Sequence, residues 1–139
     1  MTEIVITRYF DAPREMVYRA FVDPEQVVRW FAPKGWSVRR DSVSIDARPG
    51  GHQRFVMVND TDPSLTSAVN AVFTEVVENE LLAGEEPAAG VRLRVEFSDA
   101  GPGRTRVVLR QGPYDPDVEP MARAGWGSTL DKLDALLHG

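Results

Sequence analysis

The segment from Asp117 to Leu137 constrains this chain more than any other, because it reads as one long helix with a single apolar stripe. Val118, Met121, Ala122, Gly125, Trp126, Thr129, Leu130, Leu133, Leu136 and Leu137 recur at spacings of three and four, while Glu119, Arg123, Ser128, Asp131, Lys132 and Asp134 fall mostly opposite. At ~1.5 Å per residue such a helix runs about 30 Å, the width of a small domain, so a broad sheet is needed to cover its stripe. Asp117 is the expected cap, since it puts Pro120 in the first turn, where a missing N–H costs no intrahelical bond. Gly125 and Gly127 flank Trp126 inside the helix. At roughly 1 kcal/mol each relative to alanine, they point to close packing or a kink.

The rest of the chain supplies the sheet. Residues 3–10 alternate and are rich in β-branched types, which predicts a first strand. The period then changes: Pro13 to Val22, with Met16, Val17, Ala20 and Phe21 on one face, predicts a short helix with proline at its first position. Asp23-Pro24-Glu25-Gln26 repeats the start signal, so a second short helix follows over 24–31, carrying Val27, Val28, Trp30 and Phe31. From Trp36 onward strand follows strand, at 36–46, 52–59, 66–78, 81–86, 91–98 and 104–111, each bounded by turn chemistry such as Arg48-Pro49-Gly50-Gly51. Connections this short favour antiparallel neighbours, because parallel pairs need crossovers of about a dozen residues. The order strand, two helices, six strands, helix is that of an α+β domain, a curved antiparallel sheet of about six to seven strands wrapped around a long C-terminal helix.

Alternation also assigns faces. Val91, Leu93, Val95 and Phe97 share one side, as do Thr105, Val107, Leu109 and Gln111, leaving Arg92, Arg94, Arg106 and Arg110 for solvent. By the same parity Gln53, Phe55, Met57 and Asn59, and then Val69, Ala71, Phe73 and Glu75, are expected to point inward.

Composition removes whole classes of function. A chain of 139 residues, 42% hydrophobic, fits one globular domain over 1–139. With 16 Lys+Arg against 21 Asp+Glu, net charge −5, it has no basic footprint for nucleic acid. There is no cysteine, and His52 and His138 are the only histidines, so no thiol nucleophile, disulfide framework or metal centre is expected, and no cofactor. The first residues do not read as a signal peptide and no apolar run approaches membrane-spanning length, so a cytoplasmic protein without a membrane span is expected. Asn59 to Asp62 is not an EF-hand loop, since Leu65 and Ala71 stand where glycine and glutamate would be required. Neither Gly50-Gly51 nor Gly101-Pro102-Gly103 is a phosphate loop. His52 is opposite in parity to Gln53 and Phe55 and is expected outside, and Glu85-Glu86 reads as surface because neighbours on a strand face opposite ways.

The run Phe10-Asp11-Ala12-Pro13-Arg14-Glu15-Met16-Val17-Tyr18-Arg19-Ala20-Phe21, with Asp23-Pro24 and Trp30-Phe31-Ala32-Pro33-Lys34-Gly35, resembles the opening of the SRPBCC (START-like, helix-grip) superfamily. Asp46-Ala47-Arg48-Pro49-Gly50-Gly51, Phe55-Val56-Met57, Thr74-Glu75-Val76-Val77, Ala124-Gly125-Trp126 and Leu130-Asp131-Lys132-Leu133 continue the pattern over nearly the whole chain. Within the superfamily, the chain is most similar to stand-alone bacterial domains related to the activator of the ninety-kilodalton heat-shock protein's ATPase. The resemblance implies a helix-grip (START/Bet v 1-like) fold, but no single activity, since sites and not folds decide function.

It also implies a cavity between the sheet and the terminal helix, with Trp30, Phe31, Trp36, Phe55, Met57, Phe73, Trp126 and Leu130 as its wall and Gln53, Asn59, Glu75 and Gln111 as candidates to orient a ligand. The competing reading is that these side chains meet and fill the core. Three functions follow in order: non-catalytic binding of a small hydrophobic or amphipathic molecule; a chaperone-associated module of the stress response; and a cyclase, dehydratase or hydrolase using a pocket acid such as Glu75. Edge strands of an incomplete sheet invite pairing, which leaves a homodimer open.

Overall fold

The computed structural model describes residues 1–138. Strand β1 (Thr2–Phe10) leads into helices α1 (Arg14–Val22) and α2 (Pro24–Trp30); strands β2 (Trp36–Val38), β3 (Ser44–Ile45), β4 (His52–Asn59), β5 (Thr66–Val77), β6 (Leu81–Glu86), β7 (Val91–Asp99) and β8 (Thr105–Tyr114) follow, and helix α3 (Glu119–His138) ends the described chain. All strands pair antiparallel in one eight-stranded sheet, ordered β1-β8-β7-β6-β5-β4-β2, with β3 also paired to β4. The sheet curls around α3, the helix-grip arrangement that the sequence predicts.

The segment 36–46 is two strands rather than one. A tight helical turn at Arg40–Ser42 interrupts it, and the Ser42 hydroxyl stands in for the lost ladder by accepting the Val56 N–H at 2.9 Å. Asp23 does cap α2, accepting the Glu25 N–H at 3.0 Å with Pro24 in the first turn. Asp117 does not cap α3. An extra turn precedes the helix, in which the Asp115 carboxylate accepts the Asp117 N–H and the Asp115 carbonyl accepts the N–H groups of Val118 and Glu119.

Helix α3 is held on both flanks. Arg8 donates to the Gly127 carbonyl at 3.1 Å and pairs with Asp131 at 3.0 Å. Arg123 donates to the Val5 carbonyl and pairs with Glu119 one turn away. On the other side Lys132 donates to the carbonyls of Pro33 and Trp36, and Ser128 accepts the Lys34 N–H. The helix glycines are not forced by close approach: a Cβ at Gly125 would meet nothing nearer than Pro33 at 3.9 Å, and at Gly127 nothing nearer than Arg8 at 4.0 Å.

The core sits at the α1–α2 end. Trp30, Phe21, Val17, Val27, Phe97, Leu130 and Leu133 are each at most 3% exposed. The rings of Phe21 and Trp30 meet edge to face at 4.7 Å, and Phe21 meets Phe97 at 5.2 Å. By contrast Val118 and Met121, in the predicted stripe of α3, are 43% and 73% exposed. The first turns of α3 therefore do not close onto the sheet.

Candidate functional site

Where α3 stands off the sheet, a cavity of about 860 Å³ opens between them. Its existence follows from small residues on the concave face. Ala71 on β5 and Gly84 on β6 leave the middle of the sheet nearly bare, and Ala122 and Gly125 do the same on α3. Gly84 admits no side chain, because a Cβ there would lie 2.7 Å from the Val72 carbonyl oxygen. The crowding arises at a β-bulge, where the register between β5 and β6 slips between Phe73 and Glu75.

Of the eight residues expected on the wall, Phe31, Trp36, Phe55, Met57, Phe73 and Trp126 are brought together around this cavity, and the polar candidate Gln53 joins them. Phe31 stacks edge to face with Phe55 at 5.3 Å and with Trp126 at 5.6 Å, which ties α2, β4 and α3 into one aromatic wall.

Three residues lie elsewhere. Trp30 is core: its indole N–H donates to the Ala20 carbonyl at 2.8 Å, and the ring is sandwiched by Phe21 and Phe31. Leu130 is also core, 1% exposed beyond the point where the cavity ends. Glu75 points outward, exposed and paired with Arg94, because the bulge places an extra residue before it and reverses the face it occupies. Of the further polar candidates, Asn59 is spent on its own hairpin, where its carbonyl oxygen accepts from Thr61 and Asp62. His52 bonds to Ser44 at 2.7 Å on the outer face.

The polar end of the cavity is built from β6, β8 and α3. Gln111 is 7% exposed, and its Oε1 accepts the indole N–H of Trp126 at 2.6 Å and the hydroxyl of Tyr114. An indole nitrogen can only donate, so this contact fixes which way the amide of Gln111 faces. Glu86 also lines the cavity. Burial raises the pKa of its carboxyl above the ordinary value of 4.5, and the Asn70 backbone N–H offsets part of that effect. Tyr114, which also lines the cavity, is raised too, by burial first and then by the negative charge of Glu86.

Glu86 is the residue the sequence reading missed. The alternation that dismissed the Glu85-Glu86 pair as surface also requires one of the two to share a face with Leu82 and Gly84, and that one is Glu86. The desolvated carboxylate has a measurable consequence. A folded-state pKa raised above the unfolded value penalises folding wherever the group is ionised, so Glu86→Gln is expected to melt about 1–3 °C above the wild type at pH 7. The difference should close as pH falls to 4.5, where the carboxyl is increasingly protonated in both states. A wild type that melts higher than the variant at neutral pH would mean that a partner stabilises the charge instead.

Among the described residues no cluster of His, Asp or Glu could hold a metal ion, and no helix is long and apolar enough to cross a membrane.

Several solved bacterial proteins share the fold. A protein from Nitrosomonas europaea is 24% identical, with 98% of this chain and 94% of that one covered at a TM-score of 0.84. A protein described as AHSA1-like from Aeromonas hydrophila is 23% identical, covering 99% and 92% at 0.84. One described as AHSA1 from Silicibacter pomeroyi is 21% identical, covering 99% and 98% at 0.83. At these identities the likeness speaks for the fold alone. No curated protein matches the chain. The family model described as "Activator of Hsp90 ATPase homolog 1-like protein" matches residues 11–138, from the turn before α1 to the end of α3, so the chain belongs to that family, within the START-like helix-grip group.

Proposed function

We propose that the chain holds a small hydrophobic or amphipathic molecule between the sheet and α3 and performs no chemistry on it. The observation that carries this reading is the cavity of about 860 Å³ behind apolar and aromatic walls. That volume falls within the ~300–1,000 Å³ typical of small-molecule sites. Apolar surface left wet in such a space favours a guest, at about 25 cal/mol for each Å² removed from water. On this reading Phe31, Trp36, Phe55, Met57, Phe73 and Trp126 grip the apolar body, Gln53 offers a polar contact along the wall, and residues 1–139 act as one domain in the cytoplasm. The family description names activation of an Hsp90 ATPase, a second reading that draws on the family alone. An enzyme working through Glu75 is not supported, since that carboxylate is exposed and paired with Arg94.

The test is direct. Titration with the neutral, environment-sensitive dye N-phenyl-naphthylamine should give saturable, blue-shifted fluorescence at one dye per chain. Native mass spectrometry of protein purified from a heterologous host should show an added mass that leaves on denaturation. No dye saturation together with a clean unliganded mass would refute a binding role.

A further inference from the structure

The cavity is apolar along most of its wall, with Lys34 in the loop between α2 and β2 and a second polar group, Gln53, Glu86, Gln111 and Tyr114, contributed by β4, β6 and β8, and it is this second group that narrows what the cavity can hold. Glu86 ends β6. In register Glu85 lies opposite Val72, so Glu86 falls beside Ala71 on the concave face. Tyr114 ends β8 and turns its hydroxyl to Gln111.

Their hydrogen-bonding capacity can be counted. The carbonyl end of Gln111 is used up by two donors, Trp126 and Tyr114, so its amide Nε2 is what remains, and that can only donate. The Tyr114 proton is committed to Gln111, which leaves its oxygen as an acceptor. Glu86 accepts and carries a charge, and no ion pair among the described residues includes it. Gln53, paired with Ala71 across β4 and β5, adds an amide that can donate or accept, so this part of the cavity presents donors beside acceptors, one of the latter a carboxylate without an ion pair. A group that both accepts and donates matches this mixture, with its one proton directed to Glu86. A hydroxyl does so without charge, whereas a carboxylate would set a second negative charge against Glu86 in a partly desolvated space.

We infer that this end of the cavity takes a neutral hydroxyl, so the guest is an apolar alcohol or phenol and not a fatty-acid carboxylate, with Gln111 Nε2 donating to the hydroxyl oxygen and Glu86 accepting its proton in a hydrogen bond. This assignment rests on the cavity-binding reading. The burial that raises the pKa of Glu86 is consistent with it, because an under-solvated carboxylate gains most from a new donor.

Competition against bound N-phenyl-naphthylamine separates the two claims. Dodecanol, its methyl ether and dodecanoate share one chain and differ only in the polar end. Dodecanol is expected to displace the dye at a concentration about tenfold lower than dodecanoate, with the ether, which accepts but cannot donate, in between. In Glu86→Gln, dodecanoate should gain about tenfold while dodecanol changes by less than about threefold. Equal displacement by dodecanol and dodecanoate in the wild type would overturn the assignment, as would a dodecanoate affinity unchanged in the variant. The wild-type comparison stands even if the variant fails to fold. Failure of the dye to bind together with a clean unliganded mass refutes the cavity reading and takes this assignment with it, whereas dye binding with the wrong order of competitors refutes only the hydroxyl.

Discussion

Trp30→Ala is expected to cost about 3–5 kcal/mol of folding free energy, the range for truncating a fully buried tryptophan. In a chain of this size that lowers the melting temperature by roughly 10 °C or more. The ring is 1% exposed and fills the space between α1 and α2, with Phe21 at 4.7 Å and Phe31 at 4.6 Å. Its indole N–H also satisfies the Ala20 carbonyl, one of the last carbonyls of α1 that no helical N–H can reach, so truncation leaves a buried acceptor without its donor. Thermal unfolding followed by circular dichroism gives the stability, and dye titration below the transition gives the binding. The expected combination is a large loss of stability with the dye affinity nearly intact. A stable variant that has lost the dye would return Trp30 to the cavity wall.

Ala71→Trp should do the reverse. Ala71 lies on the cavity floor beside Glu86 and pairs with Gln53, and its methyl is among the reasons the space is empty. An indole there would occupy the volume a guest needs, so dye affinity is expected to fall on the order of a hundredfold, equivalent to about 3 kcal/mol. Stability should hold or rise, because the new ring covers wall that is otherwise wet. A folded variant with undiminished dye binding would place the binding somewhere other than this cavity.

These two variants also mark what could be read in the sequence. The helix and strand periods were legible because burial enforces them: the 81–86 and 52–59 strands and the Asp23 cap follow from alternation and turn chemistry alone. Assigning individual side chains to the wall was harder. Trp30 and Phe31 are consecutive near the end of a helix, about 100° apart, so they could not share one wall, a signal present in the spacing. Glu86 was legible in the same way, from the parity of Leu82 and Gly84. Glu75 was not. A bulge reverses every face beyond it, and its position depends on how β6 pairs with β5 rather than on the residues of β5. Nor does the apolar stripe of α3 say where it lacks a partner: Val118 and Met121 look like core in sequence, yet they are exposed and line the cavity.

The clamps on α3 have a consequence for salt. The frame that fixes the helix above the sheet uses charged side chains, Arg8 paired with Asp131 and Arg123 donating to the Val5 carbonyl, and these are partly exposed to solvent. The wall beneath is held by apolar contacts. Ions screen the first kind, over a distance that shrinks to roughly 3 Å at 1 M, while salts such as sulfate strengthen the second. Rising ionic strength therefore acts on the helix in two opposed ways, loosening its tethers while tightening whatever apolar grip lies under it. Whichever of the two dominates sets whether a brine holds this protein shut or lets it breathe.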